Sequence, residues 1–314
     1  MRSLIIFTLV GVGAQLVDGA LGMAFGVTAS TLLVLSGVAS AQASAAVHLA
    51  EVGTTFASGL SHWRFKNIDW HIVAKLGVPG AIGAFLGATV LSSLSTEDAA
   101  PVMAAILVSI GIYVLLRFSL RHPPAVKVGT TKHSAKFLSP LGLFGGFIDA
   151  SGGGGWGPVT TSTLLSSGKT APRTVIGSVS ASEFLVAVSA SLGFLIGLRE
   201  QFFDNLLVVL GLAVGGVIAA PFAAWLVSRI SPALLGTAVG GVIVLSNSQK
   251  LVHYFDITVP WSTLIYTGIV VAWAGFLFLA WRLMKAPEYV PAGLQADVVN
   301  DTAETPETTL DETR

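Results

Sequence analysis

The sequence predicts an all-α protein that crosses a membrane several times, and three observations lead to this fold class. The chain is 53% hydrophobic and only 11% charged, with a mean hydropathy of +0.78, whereas soluble domains carry about 25% charged residues. Apolar runs of roughly 20 residues recur, which is the length that a helix needs to cross the hydrocarbon core of a bilayer. Glycines next to Asp18 and Asp149 break two long apolar segments, and a broken backbone in lipid must be buried in protein or line a wet cavity.

The two broken segments are copies of one another. A shift of 131 residues superimposes their acids, glycines and aromatic residues, and after one inserted residue a shift of 132 continues the match. The matched pairs are Asp18 with Asp149, Gly22 with Gly153, Phe25 with Trp156, and Glu51 with Glu183. A duplication of about 130 residues therefore organises the chain into two homologous repeats, with one extra span at the C-terminal end.

The first repeat, residues 1–118, is predicted to hold a broken-helix hairpin and three spans. Residues 4–37 are too long for one crossing, because 34 helical residues would extend about 50 Å against a hydrocarbon core of about 30 Å. The break after Asp18 therefore indicates two short helices. The spans follow at residues 41–62, 71–92 and 100–118, and an acidic turn at 95–98 precedes the last of them.

The second half of the chain repeats this plan after a polar linker. Residues 119–137 are predicted to be a cytosolic linker, and the second repeat, residues 138–250, begins with a broken hairpin at 138–168. Its spans are predicted at about 173–198, 204–228 and 232–250. The extra span, at 261–283, lies in the segment 251–285, and the acidic tail 286–314 is predicted to be disordered because it has no apolar period.

The distribution of lysine and arginine bears on how the two repeats are oriented. If each hairpin returns to its own side of the membrane, the repeats are inverted and only Arg2, Arg199 and Lys250 lie outside. If each hairpin crosses once, the repeats are parallel and the basic residues are divided more evenly. The positive-inside rule favours the inverted arrangement, with an outside N-terminus and a cytosolic C-terminal tail.

The glycine-rich break of the second repeat is the predicted substrate-binding region. Backbone N–H groups at a helix start attract anions, and glycine lets them approach a ligand closely. The alternative is that these glycines only permit close packing of helices. The predicted substrate-binding residues are Gly22, Ser30, Gly152, Gly153, Gly154, Gly155, Trp156, Thr160 and Thr161, with the hydroxyl groups donating hydrogen bonds to anion oxygens.

Four carboxylates inside apolar segments are the predicted proton-coupling or gating residues, together with His48. Asp18 and Asp149 lie beside the glycine breaks, so capping of a helix is the alternative for them. Glu51 and Glu183 lie in mid-span, where a carboxylate is costly to insert and usually functional. His48 shares a helix face with Glu51. Since four charged acids would repel an anion, at least one is expected to be protonated or paired.

Other classes of protein are disfavoured by what the sequence lacks. A formal net charge of zero gives no reason to expect nucleic-acid binding, and the chain has no cysteine for disulfides or thiolate metal sites. Its six histidines show no paired helical spacing, so neither a metal site nor a cofactor is predicted. No nucleophile and base are arranged as in a hydrolase, and an enzyme is therefore not expected.

Four stretches give the chain a specific resemblance. They read DGALGMAFG at residues 18–26, AVHLAE at 46–51, GLSHWRFKNIDW at 59–70 and GGFIDASGGGGWGP at 145–158. Over about residues 4–283 the chain resembles the TauE/SafE sulfite exporter family, also called the TSUP transporters. The resemblance implies export or uptake of a small sulfur-containing anion such as sulfite, thiosulfate or an organosulfonate.

These observations together predict a multi-pass secondary transporter of the cell (inner) membrane. The two repeats would meet near the bilayer midplane, where broken helices present N–H groups to the substrate. Its partners would be the sulfur-containing anion, protons and the lipid bilayer. The alternative function is a passive anion channel with the same pore.

Overall fold

The described part of the chain is helical, as the sequence predicts. The computed structural model describes residues 2–21, 23–120, 133–167, 169–170, 172–203, 206–227 and 232–284, and no strand occurs among them. The first five helices are α1 (Arg2–Leu21), α2 (Phe25–Leu35), α3 (Ser40–Arg64), α4 (Trp70–Ser93) and α5 (Thr96–Leu120). The remaining helices are α6 (Ala135–Gly152), α7 (157–167), α8 (Pro172–Leu198), α9 (Leu206–Val227), α10 (Pro232–Tyr254) and α11 (Trp261–Met284), with a single turn at Glu200–Phe203.

Two helices differ from the predicted bounds for reasons of local chemistry. The helix α5 starts at Thr96, within the predicted acidic turn, because the Ser95 hydroxyl accepts a hydrogen bond from the backbone N–H of Asp98 and donates one to its carboxylate. The helix α6 already includes residues 135–137, which were assigned to the linker. Most of the predicted linker (residues 121–132) and the predicted disordered tail (286–314) lie outside the described residues.

Each of the two apolar segments that contain a glycine break folds as a pair of antiparallel helices. In the first pair, Asp18 near the end of α1 bonds to the backbone of Phe25 at the start of α2. In the second pair, Asp149 near the end of α6 bonds to the backbone of Trp156 just before α7. The first turns of α7 (Gly157–Thr161) form a π-helix.

The contacts between helices fix their relative directions. Helices α1 and α9 run parallel, since a Cβ at Gly11 would meet Leu212 and one at Gly215 would meet Val12. By the same kind of contact α4 runs parallel to α6, with Leu76 beside Gly142 and Phe147 beside Gly87.

Two further pairs of long helices run antiparallel. Helices α3 and α8 cross so that Ser58 bonds to Ser180 at one end, with 2.8 Å between their hydroxyl oxygens, and His48 stacks on Phe194 at the other. Helices α5 and α10 meet in the same way, with Gly111 beside Val244 and Gly236 beside Phe118.

The outer surface of the bundle suits contact with lipid. Within the described part of the chain, four helical stretches are long and apolar enough to cross a membrane: Trp70–Ser93, Thr96–Leu120, Arg173–Leu198 and Trp261–Arg282. Large apolar side chains such as Ile82, Val217 and Val271 lie exposed on the outside. Small residues allow close packing inside, since a methyl group at Gly146 of α6 would clash with the Gly80 carbonyl of α4.

Candidate functional site

The two helical breaks meet at the centre of the bundle beside a cavity of about 330 Å³. Gly26 of α2 and Gly154 lie in direct backbone contact, and Gly154 has φ of +146°, a conformation that favours glycine. Any Cβ at Gly154 would overlap the backbone at Gly26 and Val27. The glycine run is therefore required where the two breaks touch, whatever else it does.

Asp18 and Asp149 act alike at their respective breaks. The Oδ1 atom of Asp18 accepts hydrogen bonds from the backbone N–H groups of Ala24 (2.8 Å) and Phe25 (3.1 Å). The Oδ1 atom of Asp149 accepts one from Trp156 at 2.8 Å. Each aspartate thereby bridges its own break and holds the start of the next helix, so both perform the capping role weighed from the sequence.

A buried histidine links the acids of the two halves. His48 is fully buried, and its Nδ1 atom lies 3.0 Å from Oε2 of Glu51 while its Nε2 atom lies 3.3 Å from the backbone oxygen of Asp149. The Nδ1 atom is also 3.8 Å from Oδ2 of Asp149, and that oxygen has no hydrogen-bond partner among the described residues. This arrangement suits the sharing or relay of a proton.

The same three side chains also have the composition of a cation site. One ligand atom each from His48, Glu51 and Asp149 lies within 4.8 Å of the others. The histidine spacings in the sequence did not reveal this group, because Asp149 comes from the other half of the chain. The absence of a metal stays a prediction, and His48 and Glu51 are hydrogen-bonded to one another at 3.0 Å, as expected for two groups that share a proton.

Glu183 on α8 lines the cavity, as Glu51 does on α3. The two residues therefore face one cavity from the two antiparallel helices, but only Glu51 is hydrogen-bonded to a buried histidine. Among the described residues that line the cavity, four are carboxylates and none is a lysine or arginine.

The predicted glycines divide into different roles. Gly154 and Gly155 line the cavity. Gly153 ends α6 in the left-handed conformation with φ of +70°, and Gly152 packs against Ile106 of α5. Neither Gly152 nor Gly153 lines the cavity, so only half of the glycine run faces it. Gly22 lies outside the described residues.

The predicted hydroxyl donors and the predicted aromatic residue also have different roles: some line the cavity and others bond to the backbone. Trp156 and Thr161 line the cavity. Ser30 instead donates a hydrogen bond to the Gly153 carbonyl, and Thr160 donates one to the Trp156 carbonyl at 2.6 Å. Both hydroxyls are buried and bonded to backbone, so they hold the break in shape and do not face the cavity.

Three side chains of the first half of the chain hold the last turn of α6. Ser30 bonds to the backbone oxygen of Gly153, Ser44 to that of Ala150 at 2.7 Å, and His48 to that of Asp149. Ser30 and Ser44 thereby satisfy carbonyl groups that the end of a helix leaves without intrahelical partners. The Asp149 carbonyl also accepts a hydrogen bond from the Gly154 N–H at 2.8 Å, so His48 adds a second contact there. The end of α6 is thus fixed by α2 and α3.

Several residues that line the cavity are not among the substrate-binding or proton-coupling residues predicted from the sequence. They are Gln15, Met23, Phe25, Gly26, Val27, Thr54, Thr55, Ser58, His62, Gly157, Pro158, Ile176, Val179 and Ser180. Helical spacing could have found part of this set, since Thr55, Ser58 and His62 follow Glu51 at four, seven and eleven residues and lie on one helix face.

Among the described residues, the cavity extends from the helical breaks toward one side of the bundle. It follows α3 from Glu51 to His62 and α8 from Glu183 to Ile176. In the other direction the facing residues are fully buried, among them Ser44, Ala190 and Phe194. The site is therefore reached from the side on which α3 ends and α8 begins.

Comparison with known proteins gives a consistent assignment. The model of a family described as "Sulfite exporter TauE/SafE" matches residues 7–250. The "Probable membrane transporter protein YtnM" of Bacillus subtilis (strain 168) is 49% identical over 273 residues, which cover 87% of this chain and 91% of that protein. No solved structure matches the chain.

Proposed function

The chain belongs to the TauE/SafE sulfite exporter family of membrane transporters, and we propose that it is a proton-coupled secondary transporter. Its substrate would be a small sulfur-containing anion, such as sulfite, thiosulfate or an organosulfonate, carried across the cell (inner) membrane. The observation that carries this proposal is the central cavity, which holds four acids and extends toward one side. A channel needs a continuous path, whereas a transporter exposes its site to one side at a time.

The directions of the helices support an inverted duplication. The matched helices α3 and α8 run antiparallel, and so do the matched helices α5 and α10. Two repeats in the same orientation would require each of these pairs to run parallel. With this arrangement Arg2, Arg199 and Lys250 share one side, and Arg64, Arg117 and Arg173 share the other, which the positive-inside rule assigns to the cytosol. The cavity then opens toward the cytosol.

The duplication indicates how the site would open to the other side. A shift of 132 residues relates Ser58 and His62, which line the open cavity, to Ala190 and Phe194, which are fully buried on the closed side. If the two repeats exchange their conformations, Ala190 and Phe194 come to line a cavity that opens outward. Alternating access would follow from this exchange around a fixed centre.

The proton would travel with the buried group formed by His48, Glu51 and Asp149. Glu51 and Asp149 line the closed end of the cavity together with Glu183, and fully buried His48 contacts the first two. Protonation of the acids would lower their repulsion of an anionic substrate, and loss of the proton on the other side would help to release it. Binding of the substrate and of the proton would thus be linked.

Transport into vesicles tests this proposal directly. Purified protein in proteoliposomes should accumulate sulfite or an organosulfonate against its gradient when a pH difference is imposed. A collapsed pH gradient should abolish accumulation, and replacing the pH difference with a sodium gradient should not restore it. Downhill flux without any accumulation would favour the passive channel instead.

Single cysteines distinguish alternating access from an open pore, since the chain has no cysteine of its own. Ser58→Cys should react with a membrane-impermeant maleimide from the cytosolic side. Ala190→Cys should be protected from that side and should react only from outside, during turnover. If both cysteines react from both sides at once, the path is continuous and the transporter proposal fails.

A further inference from the structure

The charges of the central cavity are unusual for a site that takes a simple anion. Asp18, Glu51, Asp149 and Glu183 line it, and no lysine or arginine does so among the described residues. These four side chains would repel a plain inorganic anion when they are charged. When they are protonated, they could offer it only hydrogen bonds. A cationic group on the substrate would be attracted to whichever of them stays charged when the others are protonated.

An anion-binding element nevertheless lies in the same cavity. The helix α2 begins at Phe25, and Asp18 already accepts hydrogen bonds from the N–H groups of Ala24 and Phe25. Helix geometry leaves the next two N–H groups, those of Gly26 and Val27, without intrahelical partners. Both residues line the cavity, and the positive end of the helix dipole favours an anionic group there.

A second, independent feature points to a ligand on the acidic side. Asp149 is 2% exposed, lines the cavity and has one carboxylate oxygen, Oδ2, with no hydrogen-bond donor among the described residues. A buried acceptor without a donor is costly, so such atoms usually meet a ligand or water. An ammonium group has three N–H donors and would satisfy it.

Part of the remaining wall is apolar, beside polar lining residues such as Gln15, Thr54 and Ser58. Phe25, Met23 and Trp156 lie near the breaks, and Ile176 and Val179 lie on α8. Thioether and alkyl groups fit such surfaces, because sulfur packs favourably beside aromatic rings and methionine. The cavity therefore combines an acidic side, a set of backbone donors and an apolar section of wall.

From this juxtaposition we propose that the substrate is a zwitterion, a small sulfur-containing molecule that carries an ammonium group as well as its acid group. The ammonium group lies among Glu51, Asp149 and Glu183, and the sulfonate or carboxylate lies against the N–H groups of Gly26 and Val27. This inference rests on the proposed transport function and narrows its substrate class.

Matched ligand pairs test the role of the ammonium group. The first pair is 2-aminoethanesulfonate and 2-hydroxyethanesulfonate, and the second is methionine and 4-(methylthio)butanoate. In each pair only the first compound carries an amine. Binding to the purified full chain is measured by calorimetry, and uptake is measured in proteoliposomes. In at least one pair the amine-bearing member should bind about tenfold or more tightly, as expected for one charge-assisted hydrogen bond.

Variants locate this preference in the cavity. Glu183→Gln should lower affinity for the amine-bearing ligand about tenfold while leaving the weaker binding of its partner nearly unchanged. Glu97→Gln, at an exposed acid of α5 outside the cavity, is the matched control and should change neither affinity.

The outcomes separate this inference from the transport function. If sulfite, thiosulfate or an amine-free ligand binds as tightly as the amine-bearing ones and is accumulated, the zwitterion is excluded and the anion transporter stands. If neither kind of ligand binds or is accumulated, both proposals fail. An amine preference that Glu183→Gln leaves intact would also overturn the placement of the ammonium group.

Discussion

Replacing Glu51 by leucine is expected to destabilise the protein much more than the same replacement at Glu183. The two residues occupy matched positions and line the same cavity. Glu51, however, is hydrogen-bonded to fully buried His48, with 3.0 Å between Oε2 and Nδ1, whereas Glu183 is half-buried and lines the cavity. Replacement by leucine therefore breaks a buried hydrogen-bonded pair at Glu51 but not at Glu183.

The expected magnitude follows from that contact. Removing one partner of a buried ion pair typically costs about 3–5 kcal/mol, because the other partner is left uncompensated. Asp149 lies 3.8 Å from the same nitrogen and can compensate in part, so we expect about 3 kcal/mol for Glu51→Leu. With about 2–4 °C of Tm for each kcal/mol, the melting temperature should fall by about 6–12 °C. Glu183→Leu should lower it by less than about 2 °C.

Thermal unfolding of both variants in the same detergent is the measurement. A double-mutant cycle isolates the pair, since Glu51→Leu should cost much less when His48 has already been replaced by alanine. Equal losses for Glu51→Leu and Glu183→Leu would refute the reasoning. So would a full loss for Glu51→Leu in the His48→Ala background.

Four further changes have defined outcomes. Glu183→Gln should still bind substrate, with the reduced affinity described above, but should transport it poorly. Its binding affinity should also be less sensitive to pH, as measured in uptake and binding assays over pH 5–8. Asp149→Asn keeps an oxygen that accepts the hydrogen bond from the Trp156 N–H, so its stability in thermal unfolding should be nearly unchanged. Asp149→Ala removes this acceptor and should lower the stability by about 1 kcal/mol. Gly146→Leu should prevent stable packing of two helices and yield no monodisperse protein on size exclusion, whereas Gly268→Leu at an open position should be tolerated. Burial lowers the pKa of His133 below its usual 6.5, so the stability that its neutral form contributes is present above pH 6.5 and is lost as pH falls below that value. The Tm of His133→Gln should therefore decrease less on acidification than the Tm of the parent protein.

The helices and their breaks could be predicted because their signals are local. Apolar length marks the long helices, and an acid followed by glycines marks each break, as at Asp149. Helix starts were less accurate, since Thr96 begins a helix only because Ser95 and Asp98 bond to one another. These two hydrogen bonds depend on side-chain geometry, which a hydropathy profile does not show.

The centre of the site could be predicted only in part, because its contacts join distant parts of the chain. The acids were found from their apolar surroundings, and all four line the cavity. The bonds from Ser30 to Gly153 and from His48 to Asp149 span about a hundred residues, and nothing in the sequence pairs them. Ser30 was for that reason assigned to the substrate although its hydroxyl is occupied by the backbone.

The three hydrogen bonds that hold the last turn of α6 have a consequence for the resting state of the protein. They come from Ser30, Ser44 and His48, and the matched positions of the other repeat are Thr161, Ile176 and Ser180. An isoleucine has no hydroxyl, so the outward-open arrangement could not form the same set of bonds.

One missing bond of about 1 kcal/mol shifts a two-state equilibrium about fivefold. The unloaded protein would then spend most of its time open toward the side of His62. Solutes on that side would find the binding site accessible in most molecules. Solutes on the other side would bind with a lower apparent affinity, because few molecules are open toward them. Such a bias gives the two directions of flux different apparent affinities, even in a protein built from two equivalent halves.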